Sequence, residues 1–238
     1  MQFLFRYANP HNFMRLSGAV LPFTAIGAAL ALIAGLYFSF SVPPDYQQGT
    51  TITILFIHVP AAIMAMVAYS SIAVCSLLSL VWRHPLSDTA ARAAAPLGAM
   101  FTVMGLITGA LWGKPMWGAY WVWDARLTSF LLLLFIYLGY MALWSAIEDE
   151  IKAARAAAIL ALVGAVNIPI IKFSVDWMLT LHQGESIMSG GIDPVFRPPL
   201  FTMMFGYLLL FVTLWLVRIR TMITERRARS LMLSGEAA

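Results

Sequence analysis

Apolar residues in this chain gather into six long runs, at approximately 18–40, 53–81, 93–111, 127–147, 155–173 and 199–217. Runs of about twenty residues are what a helix needs to cross a hydrocarbon core of roughly 30 Å at 1.5 Å per residue. In lipid every backbone N–H must find its partner within its own segment, so the runs predict six transmembrane helices. Between them lie short charged segments and three others, 41–52, 112–126 and 174–198, that carry tryptophan, histidine, glycine and proline. No repeat, linker or soluble domain interrupts the series, so residues 1–238 are expected to form a single six-helix, all-α integral membrane domain. The first run is long for a signal-peptide core and is followed by Val42-Pro43-Pro44-Asp45 rather than a small-residue cleavage site, so it reads as a retained helix.

Composition agrees: 61% of residues are hydrophobic and 11% charged, against about a quarter charged in soluble domains. The distribution of charge adds an orientation. Arg6, Arg15, Arg83, Arg92, Lys152, Arg155, Arg218, Arg220, Arg226, Arg227 and Arg229 fall on one side of the six spans, and only Lys114, Arg126, Lys172 and Arg197 on the other. The excess of Lys and Arg on the inner side predicts that both termini are cytoplasmic and that the three tryptophan- and histidine-bearing segments face outward. Basic residues at the ends of apolar runs, not on a polar face, also argue against a nucleic-acid binder. A single cysteine, Cys75, excludes an internal disulfide and a multi-cysteine metal cluster, and without C-x-x-C-H the chain carries no covalently attached c-type heme.

The densest chemical signal is Trp117-Gly118-Ala119-Tyr120-Trp121-Val122-Trp123-Asp124-Ala125-Arg126, with Trp112 just before it. Two readings stand. One is an interfacial aromatic belt. The other is a binding shelf for a large flat apolar ligand: if 117–124 is helical, Trp117, Trp121 and Asp124 share a face at i, i+4 and i+7, and Arg126 or Lys114 is placed to meet the ligand's carboxylates. Outer segments hold Trp112, Trp117, Trp121, Trp123 and Trp177, whereas inner ends have Trp82, Trp144 and Trp215, one per helix, an asymmetry that a belt alone does not explain.

Of the four histidines, His58 and His182 belong to the outer side, and His11 and His84 to the inner. The stretch after Thr51 is uncharged for about thirty residues, about 45 Å of helix, so its first turns protrude and bring His58 to the outer interface. Structurally, His58 would serve to satisfy the Phe56 carbonyl that Pro60 frees. Functionally, His58 and His182 offer what iron-porphyrin needs, imidazole nitrogens flanked by apolar surfaces. Asp124 and Arg126 are also placed to pair with each other. Among fourteen methionines, Met116, Met178 and Met188 lie in outer segments, where gap-filling is their ordinary use. Gly109-Ala110-Leu111-Trp112-Gly113-Lys114 lacks the spacing of a phosphate loop, so any ATP hydrolysis belongs to another subunit.

Residues 112–129, with the core WGKPMWGAYWVWDARLTS, resemble the tryptophan-rich WWD motif of the heme-handling proteins of cytochrome c maturation, and the chain is most similar to the heme exporter protein C (CcmC) family. PPDYQQG, HVPAA around His58, NIPII and LHQG around His182 extend the resemblance over nearly the whole chain. It implies that His58 and His182 are axial ligands of a non-covalent, b-type heme and that Trp117, Trp121, Trp123 and Asp124 line it, with Arg126 near its carboxylates. It further implies a bacterial inner-membrane protein that binds heme at the periplasmic face and delivers it to a CcmE-like periplasmic chaperone. CcmA- and CcmB-like transporter subunits and a small CcmD-like membrane subunit are the implied partners. Two positions depart from the family pattern: Tyr120 stands where a tryptophan is frequent, and Phe130 where a glutamate is common.

The competing reading is a permease subunit of an ABC-type exporter that moves heme or another substrate through the bundle. Transporters place polar groups near the midplane, and here Asn167 is the main one, which favours a surface-binding platform. The absence of an ATPase or hydrolase motif predicts no enzyme, while a second rival, an enzyme that catalyses attachment of heme to the chaperone, is not separated by the sequence from a scaffold that aligns the reactants.

Overall fold

The computed structural model describes residues 9–84, 86–178, 180–182 and 191–236, and every regular element among them is helical. Six helical segments are long and apolar enough to cross a membrane, so the chain is a multi-pass membrane protein. α1 (Pro10–Ser41) starts at Asn9, whose side chain accepts from His11 N at 2.8 Å, with Pro10 at the first helical position. A 3-10 turn (Thr50–Ile54) leads directly into α2 (Leu55–Trp82). α3 (Ser87–Trp117) ends at Gly118, which takes φ 78° and donates its N–H to Lys114 O at 3.0 Å. α4 (Ala125–Ala146) is capped by Asp124 and α5 (Glu150–Gly164) by Asp149. α6 (Asn167–Trp177) completes the fifth span, and a 3-10 turn (Pro194–Phe196) opens α7 (Arg197–Glu236).

The helices outrun the apolar runs at most ends. α3 begins six residues before position 93 and continues to Trp117, and α7 runs well past 217. Hydropathy marks where lipid stops, not where backbone hydrogen bonding stops, so helices continue into charged flanks. The expected outer loop 112–126 is thereby shortened to 118–124. The fifth span is also not one continuous helix: Ala165 and Val166 form a turn between α5 and α6. Pro169 has no N–H for the Ala165 carbonyl and its ring crowds it, which breaks the ladder there. Asn167, just past the break, donates to Ser129 O of α4 at 2.8 Å.

α2, α3 and α4 form the centre, with Phe56, Tyr69, Phe101, Leu133, Tyr137 and Tyr140 fully buried. Its hydroxyls tie helices together: Tyr137 donates to Ala65 O at 2.7 Å and Tyr69 to Ala161 O at 3.1 Å. α1 is the least buried span and packs along α7, turning Phe23, Ile26, Leu30 and Ile33 outward, as a lipid-facing helix does. At one end of the bundle the basic residues hold neighbouring helices. Arg220 donates to Met14 O at 2.6 Å and Ser17 Oγ at 2.8 Å, Arg218 to Ala93 O at 3.1 Å, and Arg226 to Thr89 Oγ1 at 3.1 Å. The beginning of α1 and the later turns of α7 therefore share that end.

Candidate functional site

α3 carries the chain from the arginine-rich end to the opposite one, and two histidines meet beside its last turns. His58 lies in the first turn of α2, with Nδ1 3.1 Å from Gly105 O and 3.1 Å from Thr108 Oγ1. A carbonyl oxygen only accepts, so Nδ1 carries the proton and Nε2 keeps its lone pair. The Thr108 hydroxyl proton is directed to Met104 O at 2.7 Å, which leaves its oxygen as a second acceptor for the imidazole. His58 is thus fixed by α3 across the helix interface, and does not serve the Phe56 carbonyl freed by Pro60, as the structural reading of the sequence suggested.

The fit of His58 depends on a side chain that is not there. A Cβ on Gly109 would stand 3.0 Å from His58 Cε1. One turn earlier, a Cβ on Gly105 would meet Phe130 Cε1 at 3.0 Å; one turn later, a Cβ on Gly113 would meet Trp117 Cε3 at 3.1 Å and Ala119 O at 3.1 Å. Gly105, Gly109 and Gly113 form an i, i+4, i+8 row on one face of α3; at Gly105 and Gly109 it lets side chains of other helices approach the backbone, and at Gly113 it makes room for the Trp117 ring of α3 itself.

His182 comes from the other side of the sequence, and its ring centroid is 6.3 Å from that of His58, with planes 35° apart. Arg126 Nη1 stands 3.2 Å from His182 Nδ1. A guanidinium only donates, so this nitrogen accepts and the neutral ring holds its proton on Nε2, the opposite tautomer to His58. The backbone N–H of His182 donates to Thr180 Oγ1 at 3.1 Å, and the Thr180 hydroxyl in turn donates to Asp124 Oδ2. Asp124 Oδ1 accepts from Leu127 N at 2.7 Å as the cap of α4. Asp124 therefore turns to Thr180 and its own helix, and Arg126 to the imidazole.

The aromatic residues do not form the single helical face that the spacing of Trp117, Trp121 and Asp124 allowed. Gly118 leaves the helix at positive φ, and 118–124 is extended and irregular, so the i, i+4, i+7 relationship has no helix to act through. The rings divide instead. Trp112 meets His58 edge-on with centroids 5.7 Å apart, and Trp117 lies 5.9 Å from His182. Trp121 and Trp123 make a T-shaped pair at 5.4 Å, with Trp123 exposed and the Trp121 indole N–H buried with no hydrogen-bond partner among the described residues. Lys114 donates to Gly118 O at 3.0 Å and lies over the Tyr120 ring.

Several contributors were not singled out from the sequence. Gln48, within PPDYQQG, accepts from Trp112 Nε1 at 3.0 Å, and Asp45 shapes that turn by accepting from Gln47 N and Gln48 N. Thr108 and Thr180 carry ordinary hydroxyls whose use is visible only once the elements meet. The glycine row of α3 had a signal available in its regular spacing. Met116 and Met178 make no described contact with either imidazole, and Met188 lies outside the described residues.

A family model described as heme exporter protein C (CcmC) matches residues 3–234. The chain is 55% identical over 229 residues to the heme exporter protein C of Bradyrhizobium diazoefficiens, across 95% of this chain and 87% of that one. It is 49% identical over 233 residues to the protein of that name from Paracoccus denitrificans, across 96% and 97% of the two chains. With that of Escherichia coli K12 it shares 49% identity over 221 residues, 92% and 90% of the two chains.

Proposed function

The chain belongs to the heme exporter protein C family, and from that premise we propose that it binds heme non-covalently at the periplasmic face of the bacterial inner membrane and delivers it to a CcmE-like heme chaperone. The observation that carries this reading is the pair of imidazoles, brought from α2 and from the segment before α7 to a centroid separation of 6.3 Å. At that separation His58 and His182 would be able to hold one iron between their ring nitrogens. The donor set fits as well: His58 already holds the tautomer that presents Nε2, fixed by a backbone carbonyl as metal-ligating histidines usually are. Bound there, heme would supply an iron to which His58 and His182 would offer their imidazole nitrogens.

This chain's residues would bind and orient, without hydrolysing anything. Ligation through Nε2 of His182 requires the proton on Nδ1, where Arg126 now donates. Arg126 must then turn away, and a carboxylate is a stronger partner for a guanidinium than an imidazole nitrogen. Trp112 and Trp117 would face the macrocycle, while Trp121 and Trp123 form the outer edge, where a soluble partner approaches. In this reading both termini are cytoplasmic, the whole chain acts as one membrane domain, and CcmA-, CcmB- and CcmD-like subunits join it in the membrane.

The test is to express the chain together with the chaperone and without the ATP-binding subunits. Covalent heme on the chaperone supports a loading platform. A requirement for the ATPase in every case would overturn hand-over and favour transport through the bundle.

A further inference from the structure

We propose that Asp124 and Thr180 are positioning residues that set His182, and that the carboxylate at the end of the tryptophan-rich segment acts on the ligand only through that histidine. The inference rests on the heme-binding reading and deepens it. Both oxygens of Asp124 are committed inside the protein: Oδ1 accepts from Leu127 N at 2.7 Å, and Oδ2 accepts from the Thr180 hydroxyl. Thr180 uses the same oxygen to accept from His182 N at 3.1 Å. One hydroxyl thus joins the cap of α4 to the backbone of a histidine far along the chain.

The base of this tether is firm. α4 is fastened by Asn167 to its Ser129 carbonyl, at 2.8 Å, and by Tyr137 to Ala65 O of α2 at 2.7 Å, with Phe130, Leu133 and Tyr140 buried along it. Two residues beyond Asp124, the same helix start delivers Arg126 to His182 Nδ1 at 3.2 Å. Without ligand α4 therefore holds His182 twice, through its backbone and through its ring; once Arg126 turns away on ligation the backbone tether is the hold from α4 that remains, while α3 controls His58 through Gly105 and Thr108. The separation of the two imidazoles becomes a property of how α3 and α4 pack. A hydroxyl–carboxylate hydrogen bond is charge-assisted and directional, which suits it to holding a residue that lies outside any helix.

The experiment compares the full-length wild-type protein with Thr180→Val, Thr180→Ser, His182→Ala and His58→Ala, purified and titrated with hemin, followed by absorption spectra with and without added imidazole. Thr180→Val keeps the shape and removes the hydroxyl. It is expected to give the spectrum of His182→Ala, with His58 as the one protein ligand, and to bind hemin about tenfold more weakly, the loss that accompanies one charge-assisted hydrogen bond. Added imidazole should restore the six-coordinate spectrum in Thr180→Val, and Thr180→Ser should match the wild type. A wild-type spectrum and affinity in Thr180→Val would overturn the tether, as would a variant that binds no hemin even with imidazole. If His58→Ala and His182→Ala both behave as wild type, the heme reading itself is overturned and the tether with it, an outcome distinct from failure at Thr180 alone.

Discussion

His58 and His182 stand with ring centroids 6.3 Å apart although neither takes its position from the other. The first is hydrogen-bonded to the backbone of α3, the second is held from the start of α4. Replacing either by alanine is expected to change the hemin spectrum from two histidine ligands to one. His11→Ala and His84→Ala, which lie toward the other end of the bundle, should leave the spectrum unchanged. Absorption spectra of the four purified variants check this, and a spectrum indifferent to either His58 or His182 would refute the two-ligand assignment.

Thr108→Val should weaken hemin binding by about 10-fold or more, the usual consequence of removing a group that orients a metal-ligating histidine. Gly109→Ala should do at least as much, because its Cβ would sit 3.0 Å from the ring of His58 and push it aside. Gly139→Ala provides the control, since the nearest atom there is the flexible end of Leu160 at 3.5 Å. Hemin titration of the three variants, at matched membrane abundance, distinguishes displacement of the ligand from loss of the fold.

Trp121→Ala and Trp123→Ala are expected to impair transfer to the chaperone more than hemin ligation, since these two rings pair with each other and not with either histidine. Phenylalanine at either position should be tolerated better than alanine, because a flat face survives. Chaperone pull-down alongside the hemin spectrum separates the two effects. Disappearance of the alanine variants from the membrane would instead identify the rings as an interfacial belt.

Much of this architecture was legible in the amino-acid order. Six apolar runs foretold six spans, because burying backbone in lipid leaves the chain few alternatives. The ends were less legible: nothing in hydropathy announces that α3 continues through Pro115 to Trp117, where a glycine in the left-handed region terminates it. The turn at Ala165 and Val166 was hidden inside an unbroken apolar run, although Pro169 marked the place. His58 and His182 could be paired by the expected orientation of the spans and by the family resemblance. Their anchors could not: Gly105 and Thr108 lie 47 and 50 positions from His58, Thr180 lies 56 from Asp124, and such contacts exist only after helices pack.

Arg126 offers a test of ligand recognition. Wild-type protein should bind hemin about tenfold more tightly than hemin dimethyl ester, whose carboxylates are blocked, because only the free acid gives the guanidinium a charged partner in exchange for His182. Arg126→Met should bind the two forms about equally. Competition titrations in detergent measure the ratio, and an unchanged preference in Arg126→Met would assign carboxylate recognition to another group.

The glycine row also fixes the rotational phase of α3. Each residue advances a helix by about 100°, so turning α3 by a single position would replace Gly105, Gly109 and Gly113 with bulkier neighbours on the crowded face. Met104 and Thr108, one step behind, would then drive into the rings of Phe130 and His58. Rotation is blocked at two levels at once, by the aromatic packing below the site and by one imidazole within it. α3 can tilt or shift as a unit, carrying Trp112 and the His58 acceptors with it, but it cannot roll, so any motion that opens this end of the protein has to preserve the angular setting of that helix.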